Sequence, residues 1–227
     1  LGTIGTHVGP TMGSGDKFFV TLRGVSSHAA YPQNGRDPIL AAGHVITALQ
    51  SVVSRNVDPF ESAVVSVTQM EAGVAINILP EEVRLSGTIR SCDPDVRGMV
   101  KERVRETVRG VASGFGVEAE VDIQTGYPSL SNHAGATALI EKAGGEILGA
   151  ENVLPAPLSL GSEDFAFMAQ ERPAAIFRLG IRNEERGIVH GLHNNRFDVD
   201  EDVLPKGVSI FVQAVREFLA DPESFTS

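Results

Sequence analysis

The stretch Gly24-Val25-Ser26-Ser27-His28-Ala29-Ala30-Tyr31-Pro32-Gln33-Asn34-Gly35-Arg36-Asp37-Pro38 combines one imidazole, a pair of small residues and two prolines that restrict the backbone. An imidazole in a loop carried on rigid elements can exchange a proton or donate a hydrogen bond to developing charge. By spacing alone, the same histidine also reads as a loop residue facing water. Five further histidines are His7, His44, His133, His190 and His193. His190-Gly-Leu-His193 offers two imidazoles that could ligate a metal, but an i,i+3 pair in a loop matches no fixed ligand spacing. His44 lies on a helix face and reads as a packed or interface residue; His133 follows a helix cap and reads as facing solvent. Glu163-Asp164 stand at a helix start, where the helix dipole suffices to explain them. Arg90, at the exposed end of a strand, reads as a solvated charge. The sequence contains no glycine-rich phosphate loop, nucleophile elbow or cysteine–histidine cluster.

The elements that must carry these residues follow from periodicity. Lys17–Arg23 is β-branched and aromatic, a strand by composition. Asp37-Pro38 supplies a cap and a proline for the first turn of a helix to Arg55, whose apolar residues cover more than one stripe. Ser62–Met70 is a second strand, predicted to lie at a sheet edge. Glu82–Arg90 alternates cleanly, with Val83, Leu85, Gly87 and Ile89 on one face. Asp93-Pro94 opens a second helix to about Gly114, with a stripe of Val96, Val100, Val104, Val108, Val111 and Phe115. Val117–Ile123 is a fourth strand. The order β-α-β-β-α-β predicts a ferredoxin-like split βαβ unit, a four-stranded antiparallel sheet with both helices on one face. Beyond Tyr127-Pro128 the periodicity predicts a helix His133–Leu148 capped by Asn132 and interrupted at Gly144-Gly145. It also predicts a short helix Phe165–Glu171, a buried strand Ala174–Leu179 and a last helix Asp202–Leu219. The stripe of that last helix, Val208, Phe211, Val215 and Phe218, is its predicted core face.

The 227 residues are 42% hydrophobic and 21% charged, the balance of an ordinary soluble globular protein with one or two domains. A formal charge of −10 argues against a nucleic-acid partner or an anionic membrane surface. The one cysteine, Cys92, excludes an internal disulfide framework, and no apolar run reaches the length of a membrane span. A cytoplasmic protein is expected.

Several phrases in order carry a resemblance. They are Gly9-Pro-Thr-Met12, Ser27-His-Ala-Ala-Tyr-Pro32 with Asp37-Pro38, Ala75-Ile-Asn-Ile-Leu-Pro80, Gly87-Thr-Ile-Arg90, Gly161-Ser-Glu-Asp-Phe165, and Leu192-His193 followed by Phe197-Asp198. Together they resemble the M20 metallopeptidase family, in particular its amidohydrolase branch, which includes hippurate hydrolase and N-acyl-amino-acid amidohydrolases. The resemblance implies an α/β (α+β) protein: a lead-in at 1–13, a ferredoxin-like lid and dimerisation domain at 14–125, and the C-terminal part of an α/β catalytic domain at 126–227. It implies hydrolysis of the amide of N-acyl amino acids by a water activated on two divalent ions (Zn, Mn, Co or Ni), and a homodimer formed through the lid. Residue by residue, it implies His193 as a metal ligand and His28 as the lid histidine that supports the tetrahedral oxyanion. Asn77 and Arg90 match positions that hold the substrate, and Glu163 and Asp164 match a motif beside the metals. Asn194-Asn195 depart from the family's usual Ser-Pro, and Gln33 from a common second histidine. The family's remaining metal ligands and its glutamate base have no counterpart in this sequence. The chain is therefore expected to be the C-terminal part of a longer enzyme and inactive alone. The rival expectation is a dimerising or ligand-binding module that keeps the fold without a metal centre.

Overall fold

The computed structural model describes residues 1–222, which divide into two compact units. The first strands are β1 (Ile4–Thr6), β2 (Gly9–Met12), β3 (Gly15–Arg23) and β4 (Ser27–His28); helix α1 (Pro38–Asn56) follows. Next come β5 (Ala63–Ala72), β6 (Ile78–Leu79), β7 (Glu82–Ser91), α2 (Pro94–Gly114) and β8 (Glu118–Tyr127). The remainder holds β9 (Leu130–Asn132), α3 (Ala134–Leu148), β10 (Val153–Pro155), α4 (Phe165–Glu171), β11 (Arg178–Leu179) and α5 (Leu204–Ala220).

One unit comprises Met12–Leu130 and Ser159–Asp164. Its sheet runs β5-β7-β3-β8, every neighbour antiparallel, which is the ferredoxin-like order predicted from periodicity. Asp37 caps α1 by accepting from the Ile39 and Leu40 amides at 2.9 and 3.1 Å, and Asp93 caps α2 in the same way. Each is followed by a proline whose missing N–H costs nothing in a first turn. Both helices bury one stripe on the sheet. Ala41, Val45, Leu49 and Val52 of α1 and Val100, Val104 and Val108 of α2 meet Phe18, Val20, Leu22, Leu85 and Ile89. Burial of each large side chain contributes about 1.5–3 kcal/mol, so this cluster is the unit's main source of stability.

Asp16 is in phase with Phe18, Val20 and Leu22 on β3 and is therefore buried, at 1% exposure. Burial of a carboxylate needs full compensation. Arg97 supplies a two-pronged contact at 2.8 and 2.7 Å, Lys101 lies at 3.1 Å, and the Gly126 amide donates at 3.0 Å. Desolvation pushes the Asp16 carboxyl up, but the Arg97, Gly126 and Lys101 contacts together outweigh it and hold the group below the usual carboxylate range.

The other unit comprises Leu1–Thr11, Ser131–Leu158 and the chain from Phe165 onward. Its sheet places β1 between β10, parallel, and β11, antiparallel. The helix predicted to break at Gly144-Gly145 is continuous. A Cβ at Gly144 would come within 2.4 Å of the Ile4 side chain, so the glycine lets α3 approach the sheet closely. Asn132 does not cap α3; His133 does, its Nδ1 accepting from the Ala136 amide at 3.4 Å. The buried Asn132 amide instead donates to the His7 and Ile176 carbonyls and accepts from the Ile176 amide, all at 2.9 Å. That lateral stitching holds the segment predicted as a strand at 174–179, of which only Arg178–Leu179 pairs.

The last helix differs from expectation in its facing. Gly207, Ile210 and Ala214 are buried, whereas Val208, Phe211 and Val215 are 62%, 61% and 56% exposed. Gly207 and Ala214 flank the single large side chain of Ile210, which joins the unit's core of Ile4, Ile140 and Ala143, and the stripe of Val208, Phe211 and Val215 is left outside. No helix among the described residues is long and apolar enough to cross a membrane.

Candidate active site

In the ferredoxin-like unit the loop from Gly24 to Asp37 is closed at its base by reciprocal Val25–Arg36 backbone bonds, both 3.0 Å. Gly24 permits that closure, because a Cβ there would stand 2.1 Å from the Arg36 carbonyl oxygen. Just inside, β4 pairs with β6 so that His28 faces Ile78 and Ser27 faces Leu79. The Ala29 amide donates to the Asn77 carbonyl at 2.9 Å, so His28 and Asn77 are brought to one place although 49 positions apart.

His28 is oriented from behind. Its Nδ1 accepts from the Ala30 amide at 3.1 Å, which fixes the neutral ring as the tautomer with hydrogen on Nε2. Tyr31 lies beside it, ring centroids 5.7 Å apart. His28 and Asn77 are both exposed, which leaves the Nε2–H accessible as a donor. Such a group, held by backbone and not by a mobile side chain, suits stabilisation of an oxyanion.

Arg90 is elsewhere. Register places Arg23 opposite Glu82 and Asp16 opposite Ile89, so the His28–Asn77 end of the sheet is the Glu82 end and Arg90 stands at the other. Eight strand positions separate Glu82 from Arg90, about 27 Å. Arg90 is half-buried, not fully solvated; its Nη1 donates to Ser162 Oγ at 2.8 Å. It lines a cavity of about 230 Å³ with Gly15, Lys17, Thr88 and Ser162. Nothing in the sequence pointed to the Arg90–Ser162 contact, which joins positions 72 residues apart. Glu163 and Asp164 follow Ser162 in the same unit, half-buried and exposed respectively.

His193 lies in the other unit, exposed, in the long connection between β11 and α5. Its φ of 66° makes it the one non-glycine residue with positive φ among the described residues. His44, exposed on α1, stacks on Phe115 with ring centroids 4.8 Å apart. Among the described residues no group of three or more His, Cys, Asp or Glu side chains is gathered to hold an ion. A stable site needs about three or four ligands per metal, so the residues present do not form a two-metal centre by themselves.

Comparison with known proteins bears on the whole chain. Residues 2–217 match the profile of Peptidase family M20/M25/M40. Two Bacillus subtilis (strain 168) proteins are similar over nearly all of it. N-acetyl-L-cysteine deacetylase is 33% identical over 98% of this chain and 52% of its own length; N-acetylcysteine deacetylase is 35% identical over 94% and 54%. Among solved structures, the Bacillus subtilis YxeP protein, a dinuclear metal binding peptidase from the M20 family, is 29% identical with a TM-score of 0.76. The match covers 94% of this chain and 52% of that one. The chain thus spans about half the length of the curated relatives it matches. With the ferredoxin-like order, the family phrases in sequence and this coverage in agreement, the chain belongs to Peptidase family M20/M25/M40.

Proposed function

We propose that this chain supplies the lid and the C-terminal part of the catalytic domain of a metal-dependent amidohydrolase acting on N-acyl amino acids. That class includes hippurate-like compounds and the N-acetylcysteine for which the two Bacillus subtilis relatives are named. The remaining metal ligands and the base lie in residues outside this sequence, and His193 is the ligand this chain contributes. One observation carries the reading: the paired presentation of His28, tautomer-fixed through Ala30, and Asn77, side by side in a chain of this family. His28 Nε2–H holds the oxyanion, Asn77 orients the bound amide, and Arg90 grips the amino acid's carboxylate. Glu163 and Asp164 act behind the metal ligands.

Geometry also supports a homodimer. An N-acyl amino acid is about as long as two or three extended residues, roughly 7–11 Å, too short to touch His28 and Arg90 of one chain. Two copies resolve this, with the lid of one delivering His28 and Asn77 to the catalytic site of the other. β8 is protected as an edge by Glu118, Glu120 and Asp122, whereas the ten residues of edge strand β5 carry one charge, Glu71. Near the His28 end, Ile39, Leu40, Val74 and Ile76 are exposed, the last two completely. β5 and this apolar surface form the proposed interface.

Two experiments test the reading. Elemental analysis should find no stoichiometric bimetal centre in the 227-residue chain and two ions per subunit in a protein extended to the length of its relatives. Tight equimolar zinc or manganese in the shorter chain would overturn the shared-ligand arrangement. In the extended enzyme, Arg90→Ala should weaken turnover of acyl amino acids by roughly 1.5–3 kcal/mol, the worth of a charge-assisted contact. The matching amides that lack the carboxylate should be little affected. Equal losses on both substrates would reassign Arg90 to holding Ser162.

A further inference from the structure

The connection between β11 and α5 is long and nearly without regular structure. Loops of that length inside compact domains are usually functional or disordered, yet this one is tied at both feet to a single buried group. Asp200 is 1% exposed. Its Oδ2 accepts from Asn183 Nδ2, and its Oδ1 accepts from Arg186 Nη1 at 2.9 Å and from the Asp202 amide at 3.1 Å. Arg186 Nη2 reaches Asp202 Oδ2 at 2.8 Å, and the Arg186 amide donates to Asn183 Oδ1 at 3.2 Å. Asn183 and Ile188 exchange backbone bonds at 3.0 and 2.8 Å, completing the first foot. Between the feet, at Val189–Val199, lie His190 and His193. His193 holds a positive φ, a backbone conformation uncommon for a residue with a Cβ.

We propose that Asp200, clamped by Asn183 and Arg186, is a positioning residue: it holds the feet of this loop so that His193 keeps its positive φ and its place in the active site. The clamp rests on the reading of His193 as an active-site group. Asp200 itself touches no reacting atom. The acidic run Asp198–Asp202 is, in sequence, an ordinary helix start, and Asp200 does cap the turn before α5. Its second oxygen, turned to Asn183, is what a cap alone does not require.

The test uses the geometry of the pair. In Asp200→Asn the new amide N–H meets the Asn183 Nδ2, two donors face to face. Turning the Asn183 amide over relieves that clash only by losing its bond from the Arg186 N–H. The exchanged pair Asn183→Asp with Asp200→Asn restores every donor to an acceptor with the net charge unchanged. In the 227-residue chain, Asp200→Asn should speed hydrogen exchange of the Ile188 and Asn194 amides, both bonded within the loop, by about tenfold. The His193 backbone carbon shifts should move away from left-handed values. In the extended enzyme kcat should fall about 10- to 100-fold with KM nearly unchanged, as for a displaced catalytic group, and the exchanged pair should recover both readouts. If Asp200→Asn fails to fold, Arg186→Gln, at a side chain 56% exposed, carries the test with smaller changes in the same direction. Unchanged exchange and shifts, faster exchange with unchanged kcat, or a kcat loss that the exchanged pair does not recover would each overturn the proposal. An enzyme without activity on acyl amino acids would defeat the functional reading alone, since exchange and His193 shifts decide the clamp independently.

Discussion

In the extended enzyme, the role proposed for His28 predicts that His28→Ala lowers kcat by about 2.7–4 kcal/mol, two to three orders of magnitude, the loss expected when an oxyanion donor is removed. KM should change much less, since the ground-state carbonyl makes a weaker demand on the Nε2–H. The Ala30 N–H that orients the ring is lost as a partner, but it lies in an exposed loop where water replaces it. The stronger form of this result is complementation. His28→Ala subunits mixed with His193→Ala subunits form, after random exchange, mixed dimers in about half of all cases. Each mixed dimer holds one site built from the His193 of one chain and the His28 of the other, and one site with neither. Activity should therefore return to about a quarter of wild type. No recovery, with exchange demonstrated by mass spectrometry, would show that His28 serves its own chain. The placement of His28 and Arg90 at opposite ends of the sheet would then have to be bridged in some other way.

Asp16→Ala should destabilise the ferredoxin-like unit by about 3–5 kcal/mol, the cost of removing one member of a buried charge cluster. Arg97 and Lys101, their side chains only 15% and 14% exposed, would lose their carboxylate, and the Gly126 amide would lose its acceptor. Urea unfolding read on that unit measures the loss; a change under 1 kcal/mol would mean that water replaces the carboxylate cheaply. The pH dependence has a definite sign. A carboxyl held below its ordinary value contributes stability that is fully present above the unfolded pKa and is lost as pH falls through the folded one. The gap in stability between wild type and Asp16→Asn should therefore be widest near neutrality and should narrow as pH drops below about 4. A gap that stayed constant to pH 2 would show that hydrogen bonding alone, without the charge, holds the cluster.

The sequence by itself determined the ferredoxin-like unit. Alternation in Glu82–Arg90 and the single valine stripe after Asp93-Pro94 are local patterns with a period of two or about three and a half. Each Asp-Pro pair sets a helix start within a few residues, and the family phrases named which residues to watch. Asp16 was also legible in principle, since its phase with Phe18, Val20 and Leu22 requires a buried charge with partners. Tertiary structure alone decided the rest, because those facts depend on pairs distant along the chain. Periodicity showed that α5 has two faces, but not that Gly207, Ile210 and Ala214 would be chosen for the core over the stripe of Val208, Phe211 and Val215. That choice rests on close approach at Gly207, where a Cβ would stand 3.0 Å from the Leu179 side chain. Strand register, invisible in composition, put His28 beside Asn77 and Arg90 at the far end beside Ser162. The same holds for Asp200: the sequence offers five residues of an acidic helix start, and only the fold buries one of them against Asn183 and Arg186 to tie down the loop of His193.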